Sequence, residues 1–252
     1  MGSFTKWLGA GLGFSLGGPI GAAIGFAIGQ FVSGFSNEDL NKEQQAYQRR
    51  PKTGSRFEQT QSGDFEICLL VLASIVIKAD GKVDQRELDF VRNQFVNMYG
   101  KQRANNAFKL FNGIIKKEVS ARQVCIQIRQ NMPHASRLQL VHFLFGIAKS
   151  DQYVVQAELE EIKKIAGYLY VNLQDYESIK AMFFDVSANA YKILEISESA
   201  SNEEVKKGYR KMVKKYHPDK LQDLGEAHLK GANEKFQSIQ SAYETIKNER
   251  DM

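Results

Sequence analysis

The chain has 252 residues, of which 43% are hydrophobic, 25% are charged and only 4 are prolines, which suits one or two compact helical domains plus attached segments. The formal net charge of +5 is small and the basic residues cluster in two segments, which argues against a general nucleic-acid-binding protein. The two cysteines, Cys68 and Cys125, lie far apart in apolar helical patterns without metal-ligand spacing. Such cysteines are typical of buried thiols in a reducing compartment.

The N-terminal segment, residues 1–35, has the composition of a membrane anchor. No charged residue occurs between Trp7 and Asn37, and the apolar run exceeds the ~20 helical residues that cross a bilayer core. Pro19 leaves a second arrangement open, in which the run forms a short re-entrant hairpin rather than a single transmembrane helix. Glycines at every fourth position remove side chains from one helix face, which predicts self-association as a homodimer in the membrane: Gly9, Gly13, Gly17, Gly21, Gly25 and Gly29.

Residues 36–63 form a polar segment without apolar periodicity, and we expect it to act as a linker. Only Lys6 precedes the apolar run, whereas several basic residues follow it: Lys42, Arg49, Arg50 and Lys52. The positive-inside rule therefore predicts that the C-terminal domains lie in the cytoplasm. The sequence predicts a single-pass membrane protein.

Residues 64–185 show the apolar periodicity of an all-α bundle of about six or seven helices. Two segments of this region, Ser74–Val91 and Phe145–Ile162, resemble each other. The first contains Ala79-Asp80-Gly81 followed by Glu87, which resembles the acidic signature of TerB-like domains. That resemblance implies an all-helical module of a family linked to tellurite resistance and membrane-associated stress responses.

The acidic residues of these two segments allow two interpretations. If the segments pack about a pseudo-twofold axis, five carboxylates would form an oxygen-rich site for Ca²⁺ or Mg²⁺: Asp80, Asp84, Glu87, Asp151 and Glu158. Alternatively, Gly81 ends one helix, while Asp84 and Glu87 form the capping box of the next. The second segment lacks the glycine turn, which favours capping, and we assign no metal site or cofactor. The scattered His134, His142 and His228 are interpreted as ordinary surface or core residues.

Residues 203–220 predict an amphipathic basic helix that ends in a stiff loop. Ser201 and Glu204 form a capping-box pattern at its start, and Pro218 ends the helix near Tyr216. Apolar residues recur at helical spacing on one face: Val205, Tyr209, Met212, Val213 and Tyr216. The opposite face is basic and carries Lys206, Lys207, Arg210, Lys211, Lys214 and Lys215.

This helix and its neighbours resemble, in the same order, the J-domain of the DnaJ family. AYKILEIS (Ala190–Ser197) is similar to the first J-domain helix, and KFQSIQSAYETI (Lys235–Ile246) to the third. The resemblance implies a helical hairpin over residues 186–252. It also implies that the basic helix contacts an acidic surface of a DnaK-type chaperone ATPase and that His217, Pro218 and Asp219 reach its interdomain junction. The chain departs from the family at Ala190, often a second aromatic residue, and at Glu195, usually glycine.

The order of membrane segment, TerB-like bundle and C-terminal J-domain resembles the DjlA-type family of membrane-anchored, DnaJ-like co-chaperones. The implied function is recruitment of a DnaK-type chaperone and stimulation of its ATP hydrolysis, so that the protein activates a partner ATPase and is not itself an enzyme. An alternative is a TerB-type envelope-stress sensor or scaffold, whose bundle binds a metal or a partner protein and whose J-domain serves as a docking module.

Overall fold

The computed structural model describes residues 62–116, 118–150, 155–217, 219 and 229–252. Within these ranges the regular structure is helical and contains no strand, which confirms the all-α prediction. The predicted membrane segment, residues 1–35, and the predicted linker up to residue 61 lie outside the described residues. In the part of the chain that is described, no helix combines the length and the apolar character needed to cross a bilayer.

Seven of the described helices precede the J-domain-like region, in agreement with the expected number. They are α1 (Ser62–Ile77), α2 (Gln85–Tyr99), α3 (Lys101–Ile114), α4 (Ala121–Asn131), α5 (His134–Ala148), α6 (Gln156–Tyr168) and α7 (Leu173–Ala181). Three more follow, α8 (Ala190–Ile193), α9 (Asn202–Lys215) and α10 (Leu229–Glu249). We refer to α1–α7 as the bundle and to α8–α10 as the hairpin unit.

Helix α5 lies at the centre of the bundle and contacts α1, α2, α6 and α7. Its sequence is apolar on nearly every face, and its side chains from Leu138 to Ala148 are buried. A helix that is hydrophobic all round is stable only when other helices surround it. Complete burial of each large apolar side chain contributes about 1.5–3 kcal/mol, so packing around α5 contributes strongly to the stability of the bundle.

The start of α2 shows what the first acidic segment does. Asp84 accepts a hydrogen bond from the Arg86 amide at 2.8 Å, and the Glu87 carboxylate accepts one from the Asp84 amide at 3.3 Å. The predicted capping box is therefore present, and Gly81 precedes it with a φ of 81°. The Arg86 side chain also donates to Asp84, which lowers the pKa of that carboxyl to about 2.

The five candidate metal ligands are not all visible in the structure, because Asp151 lies outside the described residues. Glu87 and Glu158 are buried at equivalent positions near the starts of α2 and α6, while Asp80 is exposed. Among the described residues, no group of three or more histidine, cysteine, aspartate or glutamate side chains is arranged to hold a metal ion.

Helix α9 begins and ends where the sequence predicts. Ser201 and Glu204 form a capping box, and Tyr216 is the C-terminal cap. Met212 of α9 and Ile239 of α10 are fully buried between the two helices, and Tyr209 stacks on Tyr243 with ring centroids 4.3 Å apart. Tyr209 and Tyr243 are only half-buried, so they border the core of the hairpin unit.

Gly208 lets α9 approach the turn that follows α8. A Cβ atom at this position would lie 2.7 Å from the Cγ2 atom of Ile196, which is closer than van der Waals contact allows. Glycine inside a helix costs about 1 kcal/mol relative to alanine, and the close approach explains its presence here. The turn at residues 194–196 therefore lies directly against α9.

The hairpin unit packs against the bundle without an extended linker. Helix α8 contacts both α7 and α10, and the Ser178 hydroxyl of α7 donates a hydrogen bond of 2.9 Å to the buried carbonyl of Ile193. In the turn between α7 and α8, the Asp185 carboxylate accepts hydrogen bonds from the amides of Ser187 and Ala188, each 3.2 Å long. The bundle therefore holds the first helix of the hairpin unit by direct contact.

Candidate functional site

The end of α9 presents an exposed imidazole and an exposed carboxylate. The side chains of His217 and Asp219 are 47% and 70% exposed, and the Nδ1 atom of His217 lies 3.2 Å from Asp219 Oδ2. The Asp219 amide donates a hydrogen bond of 3.3 Å to the same Nδ1 atom. Pro218 lies between them, outside the described residues. We refer to His217 and Asp219 as the tip, which points away from the core of the protein.

An open cleft of about 500 Å³ lies beside the tip. Its lining combines two half-buried apolar side chains of α9, two cations and the tip itself: Tyr209, Val213, Arg210, Lys214, His217 and Asp219. An acidic protein surface that carries an apolar side chain would match this combination of charge and shape. The arrangement is suited to binding another protein.

The six predicted basic residues of α9 do not share one environment. Lys207, Arg210, Lys211 and Lys214 are exposed, whereas Lys206 and Lys215 are half-buried. Lys206 lies 3.2 Å from Glu203 of the preceding turn, and because the two side chains are 43% and 83% exposed, this ion pair contributes little to stability. Arg210 and Lys214 line the cleft next to the tip.

Lys211 and Lys215 lie on another side of α9, where acidic side chains hold them. The Nζ atom of Lys211 is 2.8 Å from Glu195, and Lys215 forms ion pairs with both Glu195 and Asp175. The Glu195 and Asp175 side chains are 1% and 2% exposed, so both charges are buried. We refer to Glu195 and Asp175 as the acidic clamp.

The two members of the acidic clamp come from different parts of the chain. Asn172 caps α7 by accepting the Asp175 amide at 2.8 Å, which places Asp175 in the first turn of a bundle helix. His134 of α5 lies 2.9 Å from the other Asp175 oxygen. Burial alone would raise the pKa of Asp175, but the hydrogen bonds and charge of Lys215, together with His134, hold it below its usual value.

Glu195 lies in the turn after α8 with a φ of 57°. Residues other than glycine adopt this left-handed conformation at a cost of about 1–2 kcal/mol. The geometry explains why J-domains usually carry glycine here. The two lysines that Glu195 contacts explain how a side chain is tolerated in this chain.

Sequence reasoning missed a buried lysine between the bundle and the hairpin unit. Lys235 of α10 is 2% exposed and donates a hydrogen bond to the side-chain oxygen of Gln139 in α5. It has no ion-pair partner among the described residues, and burial lowers its pKa to about 7. The helical spacing could have indicated this position, because Lys235 shares one stripe with Ile239, Ala242 and Ile246.

Two neighbours complete the surroundings of Lys235. The Tyr216 ring centroid lies 5.7 Å from its Nζ atom, and burial raises the pKa of that phenol well above its usual value. The His142 imidazole of α5 is buried against Phe183 with ring centroids 4.6 Å apart. Burial and the nearby Lys235 charge lower the pKa of His142 well below its ordinary value.

Comparison with known families assigns the three parts of the chain separately. The family described as tellurite resistance protein TerB matches residues 66–181, and the DnaJ domain family matches residues 189–251. The family described as co-chaperone DjlA transmembrane domain matches residues 1–33. No solved structure matches the chain.

Individual relatives support the same assignment. The chain is 29% identical over 229 residues to the co-chaperone protein DjlA of Vibrio parahaemolyticus, which covers 75% of this chain and 78% of that protein. It is 49% identical over 65 residues to the Vibrio cholerae co-chaperone protein DjlA, covering 25% of this chain and 23% of the relative. It is 57% identical over 58 residues to the chaperone protein DnaJ of Anaplasma marginale, covering 23% of this chain and 14% of the relative.

The last two alignments thus span less than a quarter of either relative. The three family matches follow one another in the order membrane segment, bundle and hairpin unit. The chain therefore combines a DjlA transmembrane domain, a TerB domain and a DnaJ domain, and over most of its length it is similar to a co-chaperone protein DjlA.

Proposed function

We propose that this protein is a membrane-anchored co-chaperone that recruits a DnaK-type chaperone ATPase and stimulates its ATP hydrolysis through the tip and the cleft beside it. The observation that carries the proposal is the exposure of His217 and Asp219 at the end of a basic helix, next to a cleft lined by Arg210 and Lys214. The DnaJ-domain match over residues 189–251 supports the class of partner.

Recruitment begins with electrostatic attraction. Lys207, Arg210 and Lys214 are exposed, and together with the tip we call them the recruiting face. Clustered cations increase the rate of encounter with an acidic surface more than they increase affinity, which suits a partner that must be released after each cycle.

Stimulation requires that the tip contact one conformation of the chaperone better than the other. A ligand shifts a two-state equilibrium only by its differential affinity for the two states, and it needs no bond chemistry of its own. Pro218 lacks an amide hydrogen and has a fixed φ, so the loop between His217 and Asp219 loses little entropy on binding. In this mechanism the protein activates a partner ATPase, and the ATP is bound and cleaved by that partner.

We assign the anchor to residues 1–35, a linker to residues 36–63, a TerB-like domain to residues 64–185 and the J-domain to residues 186–252, although α1 already begins at Ser62. The DjlA transmembrane match supports membrane attachment. The basic residues after the apolar run support a single-pass orientation in the bacterial inner membrane with the J-domain in the cytoplasm. The glycine series supports a homodimer, which crosslinking in membranes should detect and which Gly17→Leu, Gly21→Leu and Gly25→Leu together should abolish.

The role of charge can be tested with the full chain in detergent micelles and the DnaK-type chaperone of the same organism. Arg210→Gln should reduce stimulation of single-turnover ATP hydrolysis at least about fivefold, because it removes a cation from the recruiting face. Lys163→Gln is the matched control, because Lys163 is an exposed cation of α6 in the bundle. Raised salt should weaken the wild-type effect. Equal stimulation by the two variants would contradict the proposed surface.

A further inference from the structure

Two sides of the basic helix α9 have different surroundings. Arg210 and Lys214 lie one turn apart beside the tip, whereas Lys211 and Lys215 lie one turn apart on the side that meets the acidic clamp. At 3.6 residues per turn, Arg210 and Lys215 are separated by about 140° around the helix axis. Lys207 and Lys214 lie nearer, about 80° and about 100° from Lys215, so Lys215 lies beside the recruiting face and differs from it mainly by its burial.

Lys215 is already occupied by buried partners within the chain. Its side chain is only 18% exposed, and the carboxylates of Asp175 and Glu195 both contact its Nζ atom. Releasing Lys215 to an outside partner would leave two buried carboxylates with a missing counter-charge, which is strongly unfavourable. The contact with Asp175 also joins α9 to the bundle.

Other bonds cross the same boundary. Lys235 of α10 donates to Gln139 of α5, and the Gln174 side chain of α7 donates a hydrogen bond of 3.2 Å to the Glu195 carbonyl. The Ser178 hydroxyl donates to the Ile193 carbonyl in a fully buried position. Both α5 and α7 therefore contribute polar side chains that are matched to groups of the hairpin unit.

We propose that the TerB bundle is the built-in docking partner of the J-domain, and that Lys215, Asp175, Glu195, Lys235 and Gln139 form this docking interface rather than part of the recruiting face. The consequence is that the tip and the recruiting face point outward in one direction, set by the bundle. Docking of the J-domain on the bundle follows from the contacts alone. The exclusion of Lys215 from the recruiting face rests on the proposed function.

The test uses the full chain in detergent micelles and two measurements on each variant. Hydrogen exchange of the α7–α8 region reports docking, and stimulation of the chaperone ATPase reports recruitment. Lys215→Gln should accelerate exchange at the α7–α8 boundary about tenfold or more, because buried Asp175 loses its lysine partner and buried Glu195 keeps only Lys211. Its stimulation should stay within about twofold of wild type. Arg210→Gln should show the opposite pattern, with normal exchange and reduced stimulation.

Asp175→Asn provides a second variant, because it changes the bundle and leaves all side chains of the hairpin unit intact. It should accelerate exchange at the same boundary while the amides of α9 and α10 keep their protection. If Lys215→Gln unfolds α9 itself, the exchange rates of Asp175→Asn test the docking interface instead. Unchanged boundary exchange in Asp175→Asn would overturn the docking interface.

A loss of stimulation in Lys215→Gln as large as that in Arg210→Gln, with α9 still protected, would return Lys215 to the recruiting face and overturn the division of the helix. These outcomes differ from a failure of the proposed function itself, in which the wild-type chain would not stimulate the ATPase. Docking would then still be decided by hydrogen exchange alone.

Discussion

Replacement of Lys235 by methionine should stabilise the hairpin unit and remove most of its pH dependence above pH 7. The pKa of this lysine falls from 10.5 to about 7 because the amine is buried. At about 1.4 kcal/mol for each tenfold change, burial of the charged form costs about 5 kcal/mol. Methionine of similar length avoids this cost but leaves buried Gln139 without its donor, a loss of about 1–3 kcal/mol. The difference between these two terms gives an expected net gain of about 2–4 kcal/mol at pH 7.

The sign of the pH dependence follows from the direction of the shift. The folded pKa lies below the unfolded value, so the unfolded state binds more protons between about 7 and 10.5. Wild-type stability should therefore rise with pH in this interval by about 1.4 kcal/mol per unit at most, and the Lys235 contribution should be constant below pH 7. Among the groups facing Lys235, His142 titrates below this range, and the pKa of Tyr216 is raised above its usual value.

Urea unfolding of the full chain in micelles, followed by circular dichroism at pH 7, 8 and 9, measures both effects. Lys247→Met is the matched control, because this lysine of the same helix is 42% exposed and its loss should change stability by less than about 0.5 kcal/mol. If Lys235→Met lowers the free energy of unfolding by more than about 1 kcal/mol and leaves the pH slope unchanged, the account of a buried, destabilised amine is wrong.

Three further substitutions test individual contacts by urea unfolding. Glu195→Gly should relieve a backbone strain of about 1–2 kcal/mol yet still destabilise the hairpin unit, because Lys211 and Lys215 lose their shared carboxylate. A more stable variant would show that the acidic clamp does not stabilise the protein. Arg250→Met should lower the free energy of unfolding by about 1–3 kcal/mol. The Arg250 guanidinium donates hydrogen bonds to the Tyr191 hydroxyl, at 2.9 Å, and to the carbonyls of Ala200 and Glu198. Lys192→Met is the control, because Lys192 is exposed. Asp84→Ala should cost the bundle about 1 kcal/mol through loss of the α2 cap, whereas an effect below about 0.2 kcal/mol would show that the cap is dispensable.

The local signals in the sequence predicted local structure well. Both capping boxes, the end of α9 at Tyr216 and the helical character of every described element follow from short-range rules about side-chain oxygens, proline and apolar periodicity. These features depend on residues within one or two turns of each other, so they are readable without knowledge of the tertiary structure.

The long-range polar contacts were not predicted, because nothing in the sequence pairs positions so far apart. Lys215 with Asp175, Lys235 with Gln139 and Arg250 with Tyr191 each join residues from different helices. Lysine side chains are usually exposed to solvent, so the sequence alone predicts that Lys215 belongs with the exposed cations of α9. In the sequence, only Glu195, at a position where J-domains usually carry glycine, indicates that the surroundings of the basic helix differ from those in other J-domains.

The proposed docking interface would give the bundle a role that does not require a metal. Asp175 and Gln139 project from bundle helices into the boundary with the J-domain, and their partners are basic residues of α9 and α10. A TerB bundle that orients a J-domain would set its distance from the membrane and the direction in which it meets the chaperone. This role is compatible with additional partners on its other surfaces.

Single-turnover ATP hydrolysis by the DnaK-type chaperone, in the presence of the full chain carrying His217→Gln, tests the central claim most directly. The account predicts that the wild-type chain accelerates hydrolysis and that the variant, with unchanged circular dichroism, does not, because the exposed imidazole of the tip is lost. Full acceleration by the folded variant would contradict the claim that the tip activates the partner.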